Sequence, residues 1–468
     1  MLHKVVWMMV LAAAASAHAA AGVTRTLLPH EQQLLDEAVS TGNARVLVTL
    51  RTAQTPLTEP QRRMAIDDAD AQFAVELSGF NARIIRRYDA FPVVLANFDA
   101  PALLQVFGLT DVVGTQADHL LQPLDNQNNT VMSAPQAWQY GFSGADEVIA
   151  VLDTGVQESH PFLSANGTTT SRVIAELEGC FSGVGGAASG VTSLCPGGVY
   201  SETGDPNGHL DGANCDPAIP GCAHGTHVAG IAAGSGDYAG GNDQNGVAIG
   251  ASLMPVQVFS CTDSGSGSCS LGSYDSDVIS ALGWVHDRAV NTAYRIAAVN
   301  ISFGISGSHY TSNCDDSAAA YKAAIDTLRD NDQIATVIAA GNDAFTDGVD
   351  YPACVSSAIS VAATDNSDNL AAYSNSAPFV SLYAPGDDVY SSIPTSTYGY
   401  MSGTSMATPQ VTGALAVLQS KFGHQATVSQ LLAILQKTGK QITANGYARP
   451  RIDLGTATDD IFLGGFDD

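Results

Sequence analysis

Basic residues are scarce in this chain of 468 residues, and their scarcity argues against one group of partners. There are 19 lysines and arginines against 46 aspartates and glutamates, which gives a formal net charge of −27. Most of that charge follows residue 122, where 34 of the acidic residues lie. Because such a surface repels polyanions, we expect neither nucleic acid nor an anionic membrane surface as a partner.

Cysteine is absent from the first 179 residues, and no Cys-x-x-C pair occurs anywhere, which argues against a zinc site. The eight cysteines that follow are an even number, as is typical of disulfides in exported proteins. Local closures between Cys261 and Cys269 and between Cys314 and Cys354 are expected. The other four allow three connectivities: Cys180, Cys195, Cys215 and Cys222.

Long apolar runs are also missing, since none reaches the about 20 residues that span a bilayer. The run Val5–Ala15 follows Lys4 and precedes Ala17-His18-Ala19, a small-x-small cleavage pattern. These features together predict a signal peptide over residues 1–19 and a secreted product without a membrane anchor. A buried N-terminal helix is the alternative interpretation.

Residues 22–122 have the pattern of a small two-layer α+β domain. The segments Arg45–Leu50, Ala82–Tyr88 and Val93–Phe98 read as strands, whereas Gln61–Leu77 and Ala102–Phe107 read as helices. The order approximates β-α-β-β-α-β. Residues 123–130 then form a polar, turn-rich stretch, which predicts a linker and a processing site.

From residue 131 onward, short and fully apolar runs alternate with alanine-rich stretches of helical character, Ser276–Ala289 and Ser317–Arg329. This pattern predicts a doubly wound α/β domain over residues 131–455, with a mostly parallel sheet and helices on both faces. The acidic tail 456–468 has no evident place in it. The predicted strands are Val148–Leu152, Ser252–Phe259, Ala297–Ile301, Ile334–Ala339 and Ala358–Ala362.

The first candidate for chemistry is Asp153, which ends an apolar strand and opens an Asp-Thr-Gly sequence. A helix-capping aspartate is the plain structural alternative. Asp-Thr-Gly also occurs in aspartic peptidases, whose chemistry needs two carboxylates sharing a proton. The second similar triplet, at Asp263, has no apolar strand beside it, which disfavours that mechanism.

The second candidate is His224, followed by the small residues that let a helix begin close to a sheet. His227 lies three residues further on, but the pair lacks the glutamate of the His-Glu-x-x-His zinc pattern. We therefore expect His227 to be packed in the helix. His224, at the start of the helix, is the candidate general base.

The third candidate is Ser405, which lies between glycine and small residues at the start of an apolar segment. A helix N-cap is the common use of a serine at such a position. There its backbone N–H also faces any negative charge that develops on a substrate. Each motif alone has an ordinary structural interpretation, and their co-occurrence indicates a catalytic site.

These motifs, in the order Asp, His, Ser, resemble those of the subtilisin-like (subtilase) serine peptidases. The resemblance covers about residues 131–455, and residues 22–122 resemble the inhibitory propeptide of the same family more loosely. The matching segments are Asp153–Gly155, His224–Gly230, Asn245–Ala248, Asn300–Gly304, Ala339–Asn342, Tyr383–Gly386 and Gly403–Pro409.

The resemblance implies a role for each matching residue. Ser405 is the nucleophile, His224 its general base and Asp153 the group that orients the histidine. Asn342 is implied as the side-chain donor to the oxyanion, next to the backbone N–H of Ser405. Two backbone segments would border the primary specificity pocket: Ser302, Phe303 and Gly304, and Ala339, Ala340 and Gly341.

Two further features depart from the family or remain open. Asp343 is interpreted as a solvated loop charge, with a position at the pocket rim favouring basic side chains as the alternative. The chemistry requires no cofactor. Structural calcium is compatible with the resemblance, but Gly241–Gln244 and Ser381 stand where members of the family place calcium ligands and match poorly, so no ligand set is named.

The sequence therefore predicts a secreted, monomeric serine endopeptidase that is made as a self-inhibited zymogen and cleaves proteins or peptides. Its own propeptide would be its intramolecular inhibitor. A catalytically silent relative is disfavoured because each catalytic position is filled. A ligase or transpeptidase on the same scaffold would share the acyl-enzyme, and product analysis would separate it. Cleavage preference and physiological substrate are not predicted.

Overall fold

The chain divides into two compact units, Met1–Pro123 and Leu124–Asp468, which are described separately. Among the described residues, no helix combines the length and apolarity needed to cross a membrane. The signal peptide 1–19 and residues 460–468 of the acidic tail lie outside those residues. The computed structural model describes residues 27–52, 59–87, 92–117, 127–165, 170–183, 191–199, 201–203, 215–216, 218–236, 245–262 and 269–459.

The first unit is an antiparallel four-stranded sheet with the strand order β2-β3-β1-β4. Its β-α-β-β-α-β order agrees with the sequence pattern, and one further helix, α1, precedes it. The start of α3 is set by Asp99, whose side chain accepts a hydrogen bond from the N–H of Ala102 at 2.9 Å. The elements are α1 Pro29–Thr41, β1 Ala44–Leu50, α2 Glu59–Glu76, β2 Ala82–Arg87, β3 Val93–Phe98, α3 Ala100–Gly108 and β4 Val112–Ala117.

The second unit is built on a ten-stranded sheet in the order β20-β21-β17-β16-β14-β12-β5-β9-β6-β8. All neighbours pair in parallel except at the two ends, β20–β21 and β6–β8. The strands are β5 Glu147–Asp153, β6 Gly179–Phe181, β7 Val191–Ser193, β8 Ser201–Thr203, β9 Ser252–Gln257, β10 Phe259–Thr262, β11 Ser270–Ser273, β12 Arg295–Ile301, β13 Ile305–Tyr310, β14 Ala335–Ala339, β15 Val349–Tyr351, β16 Ile359–Thr364, β17 Leu382–Pro385, β18 Val389–Ile393, β19 Thr397–Met401, β20 Lys440–Ala444 and β21 Tyr447–Arg451.

Helices cover both faces of this sheet, which confirms the predicted doubly wound α/β fold. One apolar core lies between the sheet and α6, α9 and α10, and a second lies between the opposite face and α7 and α8. Because the central strands are buried on both faces, most of their residues are apolar. The helices are α4 Gln127–Val131, α5 Ala134–Gln139, α6 His224–Ala233, α7 Asp275–Asn291, α8 Ala319–Asp326, α9 Thr404–Lys421, α10 Val428–Thr438 and α11 Leu454–Thr458.

Two segment boundaries in the structure differ from the predicted ones. The segment 123–130, predicted as a linker, is described from residue 127, where α4 begins, and these residues belong to the second unit. Asn129 in α4 is buried and donates a hydrogen bond to the carbonyl of Asn245 at 2.6 Å. The predicted strand Ser252–Phe259 is divided at Val258, whose N–H donates to the carbonyl of Asp153, so β10 joins a separate three-stranded sheet.

The cysteines form four disulfides. The expected closures Cys261–Cys269 and Cys314–Cys354 are confirmed. Of the three connectivities open to the other four cysteines, the one observed is Cys180–Cys195 with Cys215–Cys222. The second of these bonds lies two residues before α6, and the Cys222 carbonyl accepts a hydrogen bond from Thr154 Oγ1 at 3.2 Å. The disulfide therefore anchors the loop that leads into His224.

Candidate active site

Asp153 is the last residue of β5 and its side chain has no exposure to solvent. The N–H of Thr154 donates to Asp153 Oδ1 at 2.7 Å. A buried carboxylate is stable only when it receives hydrogen bonds or a paired charge. The Asp153 carboxylate at the end of β5 can therefore accept a further hydrogen bond from a neighbouring side chain.

That neighbour is His224, the first residue of α6. His224 Nδ1 lies 2.8 Å from Asp153 Oδ1 and 3.0 Å from Oδ2, so the ring donates Nδ1–H to the carboxylate. The close approach of α6 to the Asp-Thr-Gly turn depends on Gly225, where a Cβ would collide with the Gly155 carbonyl. Glycine at position 225 is therefore needed for this close packing.

The environment of His224 changes its basicity in two opposing ways. Burial acts to lower the pKa of His224, whereas the charge of Asp153 and the hydrogen bond to it act to raise it. Together, the two contributions from Asp153 outweigh that of burial, so the pKa of His224 is raised above 6.5. The ring is consequently a better proton acceptor than an isolated imidazole.

Ser405 lies in the first turn of α9, with its hydroxyl turned toward the segment that follows β12. Ser405 Oγ donates to the carbonyl of Ser302 at 2.7 Å, and Ser302 Oγ donates to the carbonyl of Ser405 at 2.8 Å. A hydroxyl has one hydrogen, so it cannot donate to His224 in this conformation. Rotation of the Ser405 side chain is needed to direct that hydrogen at the histidine.

Two donors converge beside Ser405. A Cβ placed on Gly403 would lie 3.5 Å from Asn342 Nδ2 and 3.6 Å from the backbone nitrogen of Ser405. Asn342 Oδ1 accepts from the N–H of Thr404 at 2.8 Å and from its hydroxyl at 3.0 Å, which orients the amide. The Ser405 N–H belongs to the first turn of a helix, where backbone donors lack intrahelical partners. The arrangement can bind an oxyanion.

His224 and Ser405 open onto one cleft. Its volume is about 520 Å³, and both His224 and Ser405 lie in its wall. The complete lining is Thr154, Pro220, Gly221, His224, Phe259, Cys269, Ser270, Leu271, Ser302, Phe303, Gly304 and Ser405. The chain between Asp153 and His224 and the segment from Cys269 into β11 thus contribute walls to the cleft, as well as the sheet.

The two segments predicted to border a specificity pocket are adjacent in the structure. Ser302–Gly304 follows β12 and Ala339–Gly341 ends β14, and these strands are parallel neighbours. Strand β15 crosses between them: it pairs with β13 at Tyr351, and the N–H of Asp350 donates to the Ala340 carbonyl at 2.8 Å. The structure therefore places a third segment beside these two, which the sequence did not indicate.

Asp343 is a partly exposed loop carboxylate, as expected, but hydrogen bonds also hold it in place. Its carboxylate accepts from Ser306 Oγ at 2.8 Å and from the N–H of Gly307 at 3.0 Å. It also interacts with the carboxyl of Asp350, and that hydrogen bond and the bond from Gly307 lower the pKa of Asp343. Asp343 is thus hydrogen-bonded to β13 and to Asp350 of β15.

Other predicted features have definite positions. His227 is fully buried in α6, and its Nε2 lies 3.0 Å from the Gly399 carbonyl, so it is a packed residue as expected. Burial lowers the pKa of His227 to about 4. Ser381 forms hydrogen bonds with Ser360 and contributes no carboxylate, so this position does not suit calcium. Among the described residues, no cluster of three His, Cys, Asp or Glu could hold a metal ion.

The parallel sheet and this cleft define a class of protein, the serine hydrolases whose nucleophile begins a helix at the edge of an α/β sheet. A family model described as the subtilase family, Peptidase_S8, matches residues 144–455. The chain belongs to the subtilase family and is a serine-type endopeptidase. Catalysis in this family requires no cofactor.

Individual relatives are similar over most of the chain. Thermitase from Thermoactinomyces vulgaris is 30% identical over 324 residues, covering 69% of this chain and 91% of thermitase. Subtilisin Savinase from Lederbergia lenta is 31% identical, covering 70% of this chain and 96% of its own. Subtilisin E from Bacillus subtilis (strain 168) is 27% identical, with 74% and 75% covered.

Proposed function

We propose that this protein is a secreted endopeptidase that hydrolyses peptide bonds of proteins through an acyl-enzyme on Ser405. The proposal rests on one arrangement above all: His224 is hydrogen-bonded to Asp153 at 2.8 Å and lies in the same cleft wall as Ser405. A nucleophile, a base and a group that orients the base are the parts that acyl transfer needs.

The chemical steps follow from these positions. Ser405 Oγ forms a bond to the scissile carbonyl carbon while His224 Nε2 takes its proton, and the carbonyl becomes a tetrahedral oxyanion. His224 then gives that proton to the leaving amine as the carbon–nitrogen bond breaks. Water attacks the resulting ester by the same route, and Ser405 regains its hydrogen. Asp153 holds the His224 ring in the required tautomer and stabilises its imidazolium form during both acylation and deacylation.

The oxyanion would be bound between Asn342 Nδ2 and the N–H of Ser405. Both donors are held before substrate arrives, Asn342 by its bonds to Thr404 and Ser405 by its helix. Donors that need no reorganisation stabilise developing charge most effectively. An extended substrate would lie along Ser302–Gly304 and Ala339–Gly341, adding a strand to the backbone there.

The proposal includes synthesis as a self-inhibited zymogen. Residues 1–19 would direct export, and the unit formed by residues 22–122 would be the intramolecular inhibitor, released by cleavage within 123–130. The signal-like N-terminus and the folded α+β unit support this course. The mature enzyme would act as a monomer on peptide and protein substrates.

The test compares the whole chain with Ser405→Ala and with the matched control Ser280→Ala, whose hydroxyl only bonds the Ser276 carbonyl on the exposed side of α7. We expect wild type and the control to digest casein, and a fluorophosphonate to stop digestion and to label Ser405. Ser405→Ala should be inactive, unlabelled and uncleaved within 123–130. Activity that survives the reagent, or a maximum at strongly acid pH, would overturn the mechanism. Maturation of Ser405→Ala in a protease-free host would overturn self-processing.

A further inference from the structure

Asp350 is a buried carboxyl group to which the proposed mechanism assigns no task. It is the middle residue of β15, and only 3% of it is exposed. Its Oδ1 has no hydrogen-bond partner. A buried carboxyl oxygen without a partner is costly, and such groups in native proteins are often associated with function.

The position of Asp350 places this carboxyl between the two segments that border the pocket. Its Oδ2 lies against Gly341, where an added Cβ would collide with it. On the other side, a Cβ on Gly304 would collide with the Tyr351 carbonyl and lie 3.8 Å from Asp350 Cβ. Because glycine occupies both positions, the Asp350 carboxyl and the Tyr351 carbonyl lie directly against the two segments.

The electrostatic surroundings of Asp350 are one-sided. The nearest ionisable group is Asp343, and no lysine, arginine or histidine of the described chain forms an ion pair with either. Burial, reinforced by the hydrogen bond and charge of Asp343, raises the pKa of Asp350 to about 8. A cation placed beside these two neighbouring carboxyls would favour the ionised form of both.

We propose that Asp350 determines substrate specificity by receiving the guanidinium or ammonium group of an arginine or lysine, in the substrate residue whose carbonyl Ser405 attacks. This inference rests on the proposed function of the cleft. A long basic side chain has the stem to cross the pocket and a charged end that carries several donors for Asp350 and Asp343. A metal ion is a poorer occupant, because only two carboxylates meet here and no third ligand joins them.

The experiment measures kcat/KM for tetrapeptide p-nitroanilides that differ only in the last residue: arginine, lysine, glutamine, leucine or phenylalanine. Wild type is compared with Asp350→Asn and with Asp347→Asn, an exposed carboxylate on the preceding loop that pairs with His309 at 2.8 Å. Fluorophosphonate titration counts the competent sites in each preparation, so a folding defect is separated from a change in specificity.

We expect wild type and Asp347→Asn to prefer arginine and lysine over leucine by at least about tenfold. In Asp350→Asn, kcat/KM for the basic peptides should fall on the order of 30-fold or more, because a buried charge pair loses one partner. The leucine and glutamine peptides should change by less than about threefold. An arginine peptide aldehyde should lose affinity in parallel, whereas a leucine aldehyde should not.

Two results would overturn the assignment. In the first, wild type prefers leucine or phenylalanine. In the second, Asp350→Asn lowers kcat/KM for basic and neutral peptides alike, as a purely structural carboxyl pair would. A protein that cleaves none of the peptides and leaves Ser405 unlabelled would instead contradict the proposed function, and the specificity of Asp350 would fall with it. The labelling measurement thus distinguishes the two failures.

Discussion

Ser405 and Ser302 are joined by reciprocal hydrogen bonds: each hydroxyl donates to the backbone carbonyl of the other residue, at 2.7 and 2.8 Å. The connection continues inward, since Asn300 Nδ2 donates to Ser302 Oγ at 2.9 Å and Thr412 Oγ1 donates to Asn300 Oδ1 at 3.0 Å. All of these side chains except that of Ser405 are buried. Ser405, the proposed nucleophile, is therefore anchored to the interior of the sheet through Ser302.

Ser302→Ala should weaken that anchor without removing the carbonyl that accepts from Ser405. The buried amide of Asn300 would lose its acceptor, and an unsatisfied buried donor costs about 1–3 kcal/mol. We expect the free energy of unfolding to fall by that amount, measured in a Ser405→Ala background that prevents self-digestion, and kcat to fall in the active enzyme. Ser280→Ala, on the exposed side of α7, should change stability by less than about 0.5 kcal/mol. Equal effects of the two substitutions would contradict the anchoring role of Ser302.

Gly403→Ala should impair catalysis without affecting folding. Gly403 has extended backbone angles that alanine adopts readily, and the atom nearest to the added Cβ, beyond its chain neighbours, is Asn342 Nδ2 at 3.5 Å. The methyl group would, however, lie between Asn342 Nδ2 and the Ser405 N–H, where the substrate oxygen is proposed to bind. We expect thermal unfolding close to that of wild type and a loss of about 10²–10³ in kcat, the cost known for one oxyanion donor in subtilisin. Measured kcat values and unfolding curves provide the check.

The matched control for that substitution is Gly283→Ala in the exposed middle of α7, where the added Cβ meets nothing within 4 Å. Alanine is the better helix former, so activity should be unchanged and stability equal or higher. If Gly403→Ala kept full activity, the two donors would not share one oxyanion, and the assignment of Asn342 would fail.

The pH dependence of kcat/KM should reflect the pair formed by His224 and Asp153. The base acts only when neutral, so activity falls as pH decreases through its pKa, and a raised pKa places this limb above 6.5. Asp153→Asn removes both effects that raise the pKa of His224 and leaves burial, which lowers it. The limb should move to lower pH, and kcat should fall about 10⁴-fold. A leucine peptide is the proper substrate, because the carboxyl pair beside Gly341 also titrates.

Asp332→Asn is the control for the pH measurement, since Asp332 pairs with His286 at 2.7 Å outside the cleft. That variant should keep both the position of the limb and the rate. A limb that stays in place in Asp153→Asn would mean that another group governs the titration, and the role of His224 as the base would be contradicted.

Much of the fold was predictable because burial on both faces leaves a clear pattern in the sequence. Strand β5 is apolar from Val148 to Leu152, and its neighbours are similar, so the parallel sheet could be predicted from the alternation of apolar runs with helical stretches. Helix α4 was not predicted, because its buried Asn129 is held by a carbonyl more than a hundred residues away. A polar residue that is satisfied by a distant partner looks like a linker residue in the sequence.

The residues of the candidate site likewise divide into those that the sequence predicts and those that it does not. Asp153, His224, Asn342 and Ser405 occur in local motifs, where strand ends and helix starts can be recognised from their neighbours. Asp350 was missed because its burial comes from the pairing of β15 with β13, and an aspartate between valine and tyrosine has no distinguishing pattern. The orientation of the Ser405 hydroxyl depends on Ser302, a contact between residues 103 positions apart.

The disulfides give a last prediction, about stability. Cys314–Cys354 joins positions 40 apart and Cys261–Cys269 joins positions 8 apart. If a disulfide acts mainly by restricting the unfolded chain, the longer loop contributes about 4 kcal/mol and the shorter about 2.5 kcal/mol. Replacing both cysteines of a pair by alanine in the Ser405→Ala chain should therefore lower the unfolding free energy more for Cys314–Cys354, as measured by urea unfolding. Equal losses, or a larger loss for the shorter loop, would show that contacts in the folded state dominate instead.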